Sequence, residues 1–362
     1  MGRLHDLYDE QGQSPWLDNL KRSWLTGGEI QAWVDRGVRG ITSNPSIFQK
    51  AIESAAEYDE QFSGLIASGT SVEDSYWDLV CQDIGGALAI LRPIYDSSDG
   101  VDGYVSVEVS PALARDGAGT EVAARVLDDR IDAPNLYVKI PATQECVPAI
   151  SQMISEGRSI NVTLIFSLDR YEAVIEAYIS GLERYDGDLS KVSSVASFFI
   201  SRVDTEVDRR LDAVGTDEAL ALRGTGAVTQ GQLAYALFLE KFSGPRWDAL
   251  AARGARPQRA LWASTSTKNA AYPDTLYIDA LIGPNTVNTI PDATLEAFED
   301  HGTVARTLDT DLPAAKARWE QLGKIVDLVD VAKVLEAEGV SSFEKSYDEL
   351  LGALETKANS LR

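Results

Sequence analysis

A lysine stands in the middle of Asn135-Leu136-Tyr137-Val138-Lys139-Ile140-Pro141-Ala142-Thr143, where a strand would normally carry valine. Tyr137, Val138 and Ile140 favour a pleated, buried segment. Pro141 ends it, because proline cannot donate to a ladder. Side chains alternate along a strand, so Tyr137, Lys139 and Pro141 share one face and Val138 and Ile140 the other. Lysine is rarely buried without a partner. In an enclosed apolar site desolvation disfavours its charged form and favours the neutral amine, a nucleophile for carbonyl carbon. The plainer reading is an edge strand with a solvated lysine.

Other segments place polar groups in the same way. Asp18 interrupts the apolar stretch Ser14–Leu20, and Asn44 ends the short segment Gly40–Pro45. In Tyr104–Ser110, Val105, Val107 and Val109 point one way, and Ser106, Glu108 and Ser110 the other. Asn161 and Thr163 share a face of Ser159–Phe166. Ser197 lies within Val192–Ile200 with Arg202 close behind, and Trp262, Ser264 and Ser266 share a face of Arg259–Ser266, with Lys268 just beyond. Each residue alone has an ordinary structural role open to it, such as a cap, a turn or a small core position. Asp18, Asn44, Glu108, Lys139, Thr163 and Ser197, recurring near strand ends, are harder to dismiss. They supply an amine nucleophile, two carboxylates and several hydrogen-bonding groups, a set suited to Schiff-base carbonyl chemistry.

To position them, the pattern supplies about eight short strands alternating with helices, the last strand being Asn285–Ile290. Helical stripes fall at Glu29–Arg36, after Pro45, at Val72–Leu91, around Glu121–Leu127, at Thr143–Glu156, after the N-cap Ser167, through 203–256, and in two or three helices between Leu312 and Leu361. Alternation implies parallel strands with crossover helices. Eightfold alternation favours one α/β domain over residues 1–362, a (β/α)8 TIM barrel with additional helices, whose strand ends converge on one site. The open doubly wound sheet is the alternative, but no glycine-rich phosphate turn follows the first strand.

Bulk properties narrow the function. A net charge of −23, from 33 basic and 56 acidic residues, argues against nucleic-acid binding. An anionic substrate must then be held by a few local cations against an unfavourable field. Cys81 and Cys146 lack metal-ligand spacing and read as buried thiols in a reducing compartment. His5 and His301 are the only histidines, so a histidine triad or a histidine-rich metal site is poorly supported. The start of the chain does not read as a secretory signal, and no apolar run approaches bilayer length. A soluble cytoplasmic protein is expected.

Several of these stretches together resemble the transaldolase family. Thr42-Ser43-Asn44-Pro45-Ser46-Ile47-Phe48 is similar to its second-strand motif, Val138–Thr143 to its Schiff-base strand, and Asn161–Ser167 to its fifth strand. Ala263–Asn269 and Ile282–Thr289 are similar to signatures of its longer-chain branch. The resemblance runs roughly from residue 14 to the C-terminus. It implies a (β/α)8 barrel that moves a dihydroxyacetone unit between sugar phosphates in the non-oxidative pentose phosphate pathway, with no metal and no organic cofactor.

By the same resemblance, Lys139 forms the Schiff base with the ketose C2 carbonyl. Asp18 takes the proton from the C4 hydroxyl and returns it to the acceptor. Glu108 and Thr163 hold and activate a water that shuttles protons. Asn44 and Ser197 contact substrate hydroxyls, Thr42 and Ser266 join the substrate contacts, and Arg202, Lys268 and Asn161 receive the phosphate. Lys268 departs from the shorter branch, which carries arginine there, and an ammonium is a point charge rather than a bidentate fork. The resemblance also implies a monomer or homodimer.

Two rivals remain. A fructose-6-phosphate aldolase would release free dihydroxyacetone, but that relative typically carries glutamine where Glu108 stands and tyrosine where Phe199 stands. A non-catalytic sugar-phosphate-binding barrel could keep the cations yet lose the lysine–carboxylate set, which is intact here.

Overall fold

The computed structural model describes residues 2–53 and 55–361. Seven parallel strands form one sheet: β1 (Gln13–Leu17), β2 (Val105–Glu108), β3 (Leu136–Pro141), β4 (Ile160–Ile165), β5 (Ser194–Phe199), β6 (Arg259–Ala263) and β7 (Thr286–Ile290). Their order is β1-β7-β6-β5-β4-β3-β2. The expected strand at Gly40–Pro45 shrinks to one bridging residue, Ile41, which pairs with Leu17 on one side and Val105 on the other. Backbone bonds from Leu17 to Gly40 (2.9 Å), Thr42 to Leu17 (2.9 Å), Ile41 to Tyr104 (2.9 Å) and Ser106 to Ile41 (3.0 Å) close the sheet through this eighth position. The result is a TIM barrel with added helices.

At that position a Cβ on Gly40 would lie 2.3 Å from the Trp16 ring, so the chain passes without a side chain where the indole fills the barrel. Three residues past Ile41, Asn44 Oδ1 accepts from the Ile47 amide (3.0 Å) and starts the helix Pro45–Glu53.

Contacts between strands that are not neighbours show which faces point inward. Trp16 of β1 stacks on Tyr137 of β3 at 6.1 Å, and Tyr137 on Tyr104 at 4.0 Å. Asn161 of β4 donates to Ser106 of β2 (3.0 Å). In β2 the serine and glutamate therefore face the barrel, while Val105 and Val107 pack beneath the helices, as do Val138 and Ile140 of β3. A barrel buries both faces of its strands, so alternation here separates a polar interior from an apolar mantle rather than core from solvent.

In β6 the inward residues are Arg259, Leu261 and Ala263, because Leu261 pairs with inward-facing Ser197. The face shared by Trp262 and Ser264 is therefore the outer one. The strand also stops at Ala263, short of Ser266. Ser264 takes a left-handed conformation (φ 57°) that breaks the alternation and lets it reach the cavity above.

The helices follow the expected stripes closely. Ser167 caps Leu168–Arg184 through the Arg170 amide (3.1 Å), and the C-terminal part forms two helices, Leu312–Ile325 and Leu328–Leu361. Among the described residues no helix is long and apolar enough to cross a membrane.

Candidate active site

A cavity of about 650 Å³ opens at the C-terminal end of the barrel. Its walls include Asp18, Thr42, Asn44, Lys139, Ser197, Arg202, Ser266 and Lys268, which come from five separate strand ends or the segments just beyond them. Convergence of this kind is what the barrel topology provides.

Lys139 is 5% exposed, on a strand flanked on both sides. The edge-strand reading is thereby excluded. The enclosure is as expected, but the surroundings are not apolar. Glu108 Oε2 lies 3.2 Å from Lys139 Nζ, an ion pair whose angles fall short of a directed hydrogen bond. Lys139 Nζ also donates to the Ser43 carbonyl (3.2 Å). The pairing follows from register, since Glu108, Lys139 and Asn161 stand side by side on β2, β3 and β4.

Two carboxylates flank the amine in different ways. Glu108 lies at the barrel wall and does not line the cavity; burial raises its pKa above the usual 4.5, and the Lys139 charge only partly offsets this. Asp18 lines the cavity. Burial raises its pKa above 3.8, against the pull of Lys139, the Thr42 hydrogen bond, Arg202 and Lys268. The Thr42 hydroxyl donates to Asp18 Oδ1 (2.7 Å) and lies 2.5 Å from the Thr289 hydroxyl. Thr42 has one proton to give, so Thr289 donates to Thr42 and the relay holds the carboxylate in place.

Asn44 spends Oδ1 on the helix cap, which leaves its Nδ2 donor to the cavity. Thr163 Oγ1 is fully buried with no protein partner. A buried hydroxyl in that state calls for a solvent partner. A β-bulge lies between Val162 and Ile165, where Leu164 is left-handed (φ 60°); such bulges re-aim side chains beside active sites.

At the other end of the cavity, Arg202 sits in the first turn of Ser201–Val214. Its guanidinium lies 5.1 Å from the Phe199 ring and 6.0 Å from the Phe343 ring. Among the described residues it makes no ion pair or hydrogen bond, and burial lowers its pKa. A half-buried guanidinium without an acceptor is prepared for an anion. Lys268 donates to Ser266 Oγ (2.8 Å), and burial, then Arg202 and Lys50, lower its pKa.

Its loop is fastened to the helix that carries Arg202. Tyr272 donates to Asp208 (2.5 Å) and Tyr277 to Asp204 (2.8 Å). These carboxylates lie in the stretch 203–256, where the sequence shows only helical stripes.

The family model described as Transaldolase/Fructose-6-phosphate aldolase matches residues 15–354. The chain belongs to the transaldolase family. It is 49% identical to a protein named Transaldolase from Thermobifida fusca (strain YX), over 97% of each chain. It is 50% identical to a Transaldolase from Parafrankia sp. (strain EAN1pec), over 99% of this chain and 98% of that one. A third, from Mycolicibacterium smegmatis, is 48% identical over 97% and 96% respectively.

Within this transaldolase fold one expected ligand is misplaced. Asn161 is fully buried away from the cavity, and both ends of its amide are occupied: Nδ2 donates to Ser106 and Oδ1 accepts from Ser197 (2.7 Å). The geometry therefore gives it no phosphate to hold; it fixes the Ser197 hydroxyl. Other cavity residues escaped sequence reading. Thr289 lay inside a recognised strand but was masked by its ordinary β-branched role. Ser46 and Lys50 follow the Asn44 motif by helical spacing. Phe343 is contributed by the C-terminal helix, and no local signal ties it to the barrel top.

Proposed function

We propose that this enzyme of the transaldolase family transfers a dihydroxyacetone unit from sedoheptulose 7-phosphate to glyceraldehyde 3-phosphate, giving erythrose 4-phosphate and fructose 6-phosphate. The observation that carries the reading is the buried Lys139 beside Glu108, on the wall of a cavity that also holds Asp18 and an uncommitted Arg202.

Lys139 Nζ adds to the ketose C2 carbonyl, and the carbinolamine loses water to give an iminium. Glu108, beside the amine, gives and takes the protons of that exchange, and the Thr163 hydroxyl supports the water that carries them. Asp18 accepts the C4 hydroxyl proton. The C3–C4 bond breaks, its electron pair enters the iminium, and the aldose leaves. The enamine stays on Lys139 until an acceptor aldehyde arrives. Asp18 then returns its proton to the new hydroxyl, and hydrolysis frees the ketose.

Asn44 and Ser197 hold substrate hydroxyls, and Thr42 sets the direction of Asp18. Arg202 and Lys268 receive the phosphate, with Ser266 orienting the lysine. We place the reaction in the cytoplasm, carried by residues 1–362 as one domain in a monomer or homodimer.

Borohydride reduction in the presence of fructose 6-phosphate tests the proposal. A three-carbon adduct on the Lys139 peptide is expected, and none in Lys139→Ala, whose turnover falls by about 10^4-fold or more. No adduct on the native protein overturns the reading. Efficient release of free dihydroxyacetone without an acceptor assigns the aldolase reaction instead.

A further inference from the structure

A second cleft, of about 250 Å³, lies among the outer helices. None of the residues lining it lines the barrel-top cavity. One wall is Phe166–Arg170, which leads from β4 into the helix Leu168–Arg184. Gln230 comes from the helix Gly226–Lys241 and Trp319 from Leu312–Ile325. The C-terminal helix supplies Val329, Ala332, Lys333 and Glu336, spaced i, i+3, i+4 and i+7, so one face of it turns to the cleft.

Apolar surface is left open here. Val329 is 62% exposed, and Trp319 and Leu328 are only half-buried. Beneath them lies a polar group without a partner. Gln230 is 3% exposed and donates Nε2 to the Phe166 carbonyl (3.1 Å), while its Oε1 accepts nothing in the protein. A buried acceptor in that state calls for a donor. The other short polar side chain, Ser167, is already used as the cap of its helix.

The charged groups of the cleft differ in how they are committed. Glu336 is paired with Arg115 (2.9 Å) and Arg170 (3.6 Å). Asp169 stands in the first turn of its helix, where the dipole favours a negative charge. Lys333 is exposed and makes no ion pair or hydrogen bond among the described residues.

We propose that this cleft is a second binding site, for a small aromatic carboxylate of the indole class. The ring packs against Trp319 and Leu328, its N–H donates to Gln230 Oε1, and its carboxylate meets Lys333 at the mouth. Apolar walls with a few placed polar groups are the usual make-up of a small-molecule site. The chemistry selects among ligands. An adenine edge asks a glutamine amide both to donate and to accept, and Gln230 has only its acceptor left. A sugar brings more hydroxyls than one free acceptor can satisfy. An indole brings one donor and no acceptor, which matches. The site is separate from the reaction proposed above and does not depend on it.

A ligand-observed NMR titration of the full chain with indole-3-acetate tests the proposal. A Kd below about 1 mM is expected for a ligand of this size. Naphthalene-1-acetate keeps the shape and charge but lacks the N–H, and should bind about tenfold more weakly. Lys333→Ala should weaken indole-3-acetate about threefold and leave indole itself unmoved. Ala332→Phe fills the cleft without removing any of these contacts. It should abolish binding while kcat, KM and the melting temperature hold. Saturating inorganic phosphate should not displace the ligand. No binding at about 5 mM overturns the proposal. So does displacement by phosphate, since the carboxylate would then lie with Arg202 and Lys268. Equal affinity for the naphthalene acid removes Gln230 as the acceptor, and with it the assigned ligand class.

Discussion

The barrel buries carboxylates at both ends, and it treats them in opposite ways. At the N-terminal end Asp102 is inaccessible and accepts from Arg39 (2.9 Å), Arg259 (3.0 Å), Ser14 (2.7 Å) and Trp16 (3.2 Å). Burial alone would raise its pKa, but Arg259 and Arg39 outweigh burial and hold it below 3.8. At the C-terminal end Asp18 and Glu108 share the neighbourhood of one ammonium, and burial wins: both are raised. Two arginines around one acid make a closed structural plug. Two acids near one lysine make a set of groups able to exchange protons. A carboxylate satisfied on every side has no lone pair left for a substrate, and one left partly unsatisfied costs stability that the fold must supply elsewhere.

The same substitution at the two ends should therefore give opposite results. Asp18→Asn is expected to lower kcat by about 10^3-fold, because an amide cannot accept the C4 hydroxyl proton. Its stability at pH 7 should equal or exceed that of the native enzyme. Asp102→Asn should keep kcat per folded molecule and lose about 3–5 kcal/mol, since it leaves two buried arginines without their counter-charge. Steady-state kinetics and urea melts of the two variants check the pair. Equal losses of stability at both ends would erase the distinction.

The dependence on pH sharpens it further. Asp18 has a folded pKa above its unfolded value, so the native state holds the extra proton and stability falls as pH rises from about 3.8 through the folded pKa. The advantage of Asp18→Asn should therefore vanish below about pH 3.8, where both states are protonated. Asp102 has the reverse sign: its contribution is complete above pH 3.8 and is lost as pH falls through the lowered folded value. The deficit of Asp102→Asn should shrink only in that acid range. In the native enzyme the acid limb of kcat/KM should lie above pH 3.8, because Asp18 must be ionised to accept a proton. A limb at or below that value would remove Asp18 as the base.

The two ends were not equally legible in the sequence. Lys139, Glu108, Thr163 and Ser197 could be placed because period-two alternation assigns each to a strand face, and register then brings Glu108 and Lys139 together. Asn161 passes the same test, but alternation gives a face and not the partners supplied by other strands, here Ser106 and Ser197, which occupy both ends of its amide. The eighth strand was visible as Gly40–Pro45, but its reduction to Ile41 was not, because Asn44 already caps the next helix three residues on. Arg202 and Lys268 were legible only through the family resemblance, Lys268 within the motif Ala263–Asn269 and Arg202 outside any motif, since a cation after a strand is common. Nothing local marked Asp102, Arg39 and Arg259 as a cluster, because their contacts join segments far apart in the chain. Phe343 is the extreme case, a residue in the C-terminal helix that meets the barrel only through tertiary packing.

Phe343 also gives the smallest effect and the finest probe of the open end. The Arg202 guanidinium lies near Phe199 and Phe343, at 5.1 and 6.0 Å from their ring centres. These are long contacts, each worth about 0.5 kcal/mol at a partly exposed site. Their value is positional, because they hold a cation in the cavity without occupying its N–H donors, which a carboxylate partner would consume. Phe343→Leu keeps the apolar packing of the C-terminal helix and removes the ring face. It should raise KM for phosphorylated substrates about twofold to threefold, with kcat and thermal stability nearly unchanged. Loss of kcat and stability together would make Phe343 a packing residue of the helix rather than a support for Arg202. If Phe343→Leu tightened phosphate binding, the ring would be restraining the guanidinium from its ligand, and the open end would carry strain of the kind that the plug at Asp102 avoids.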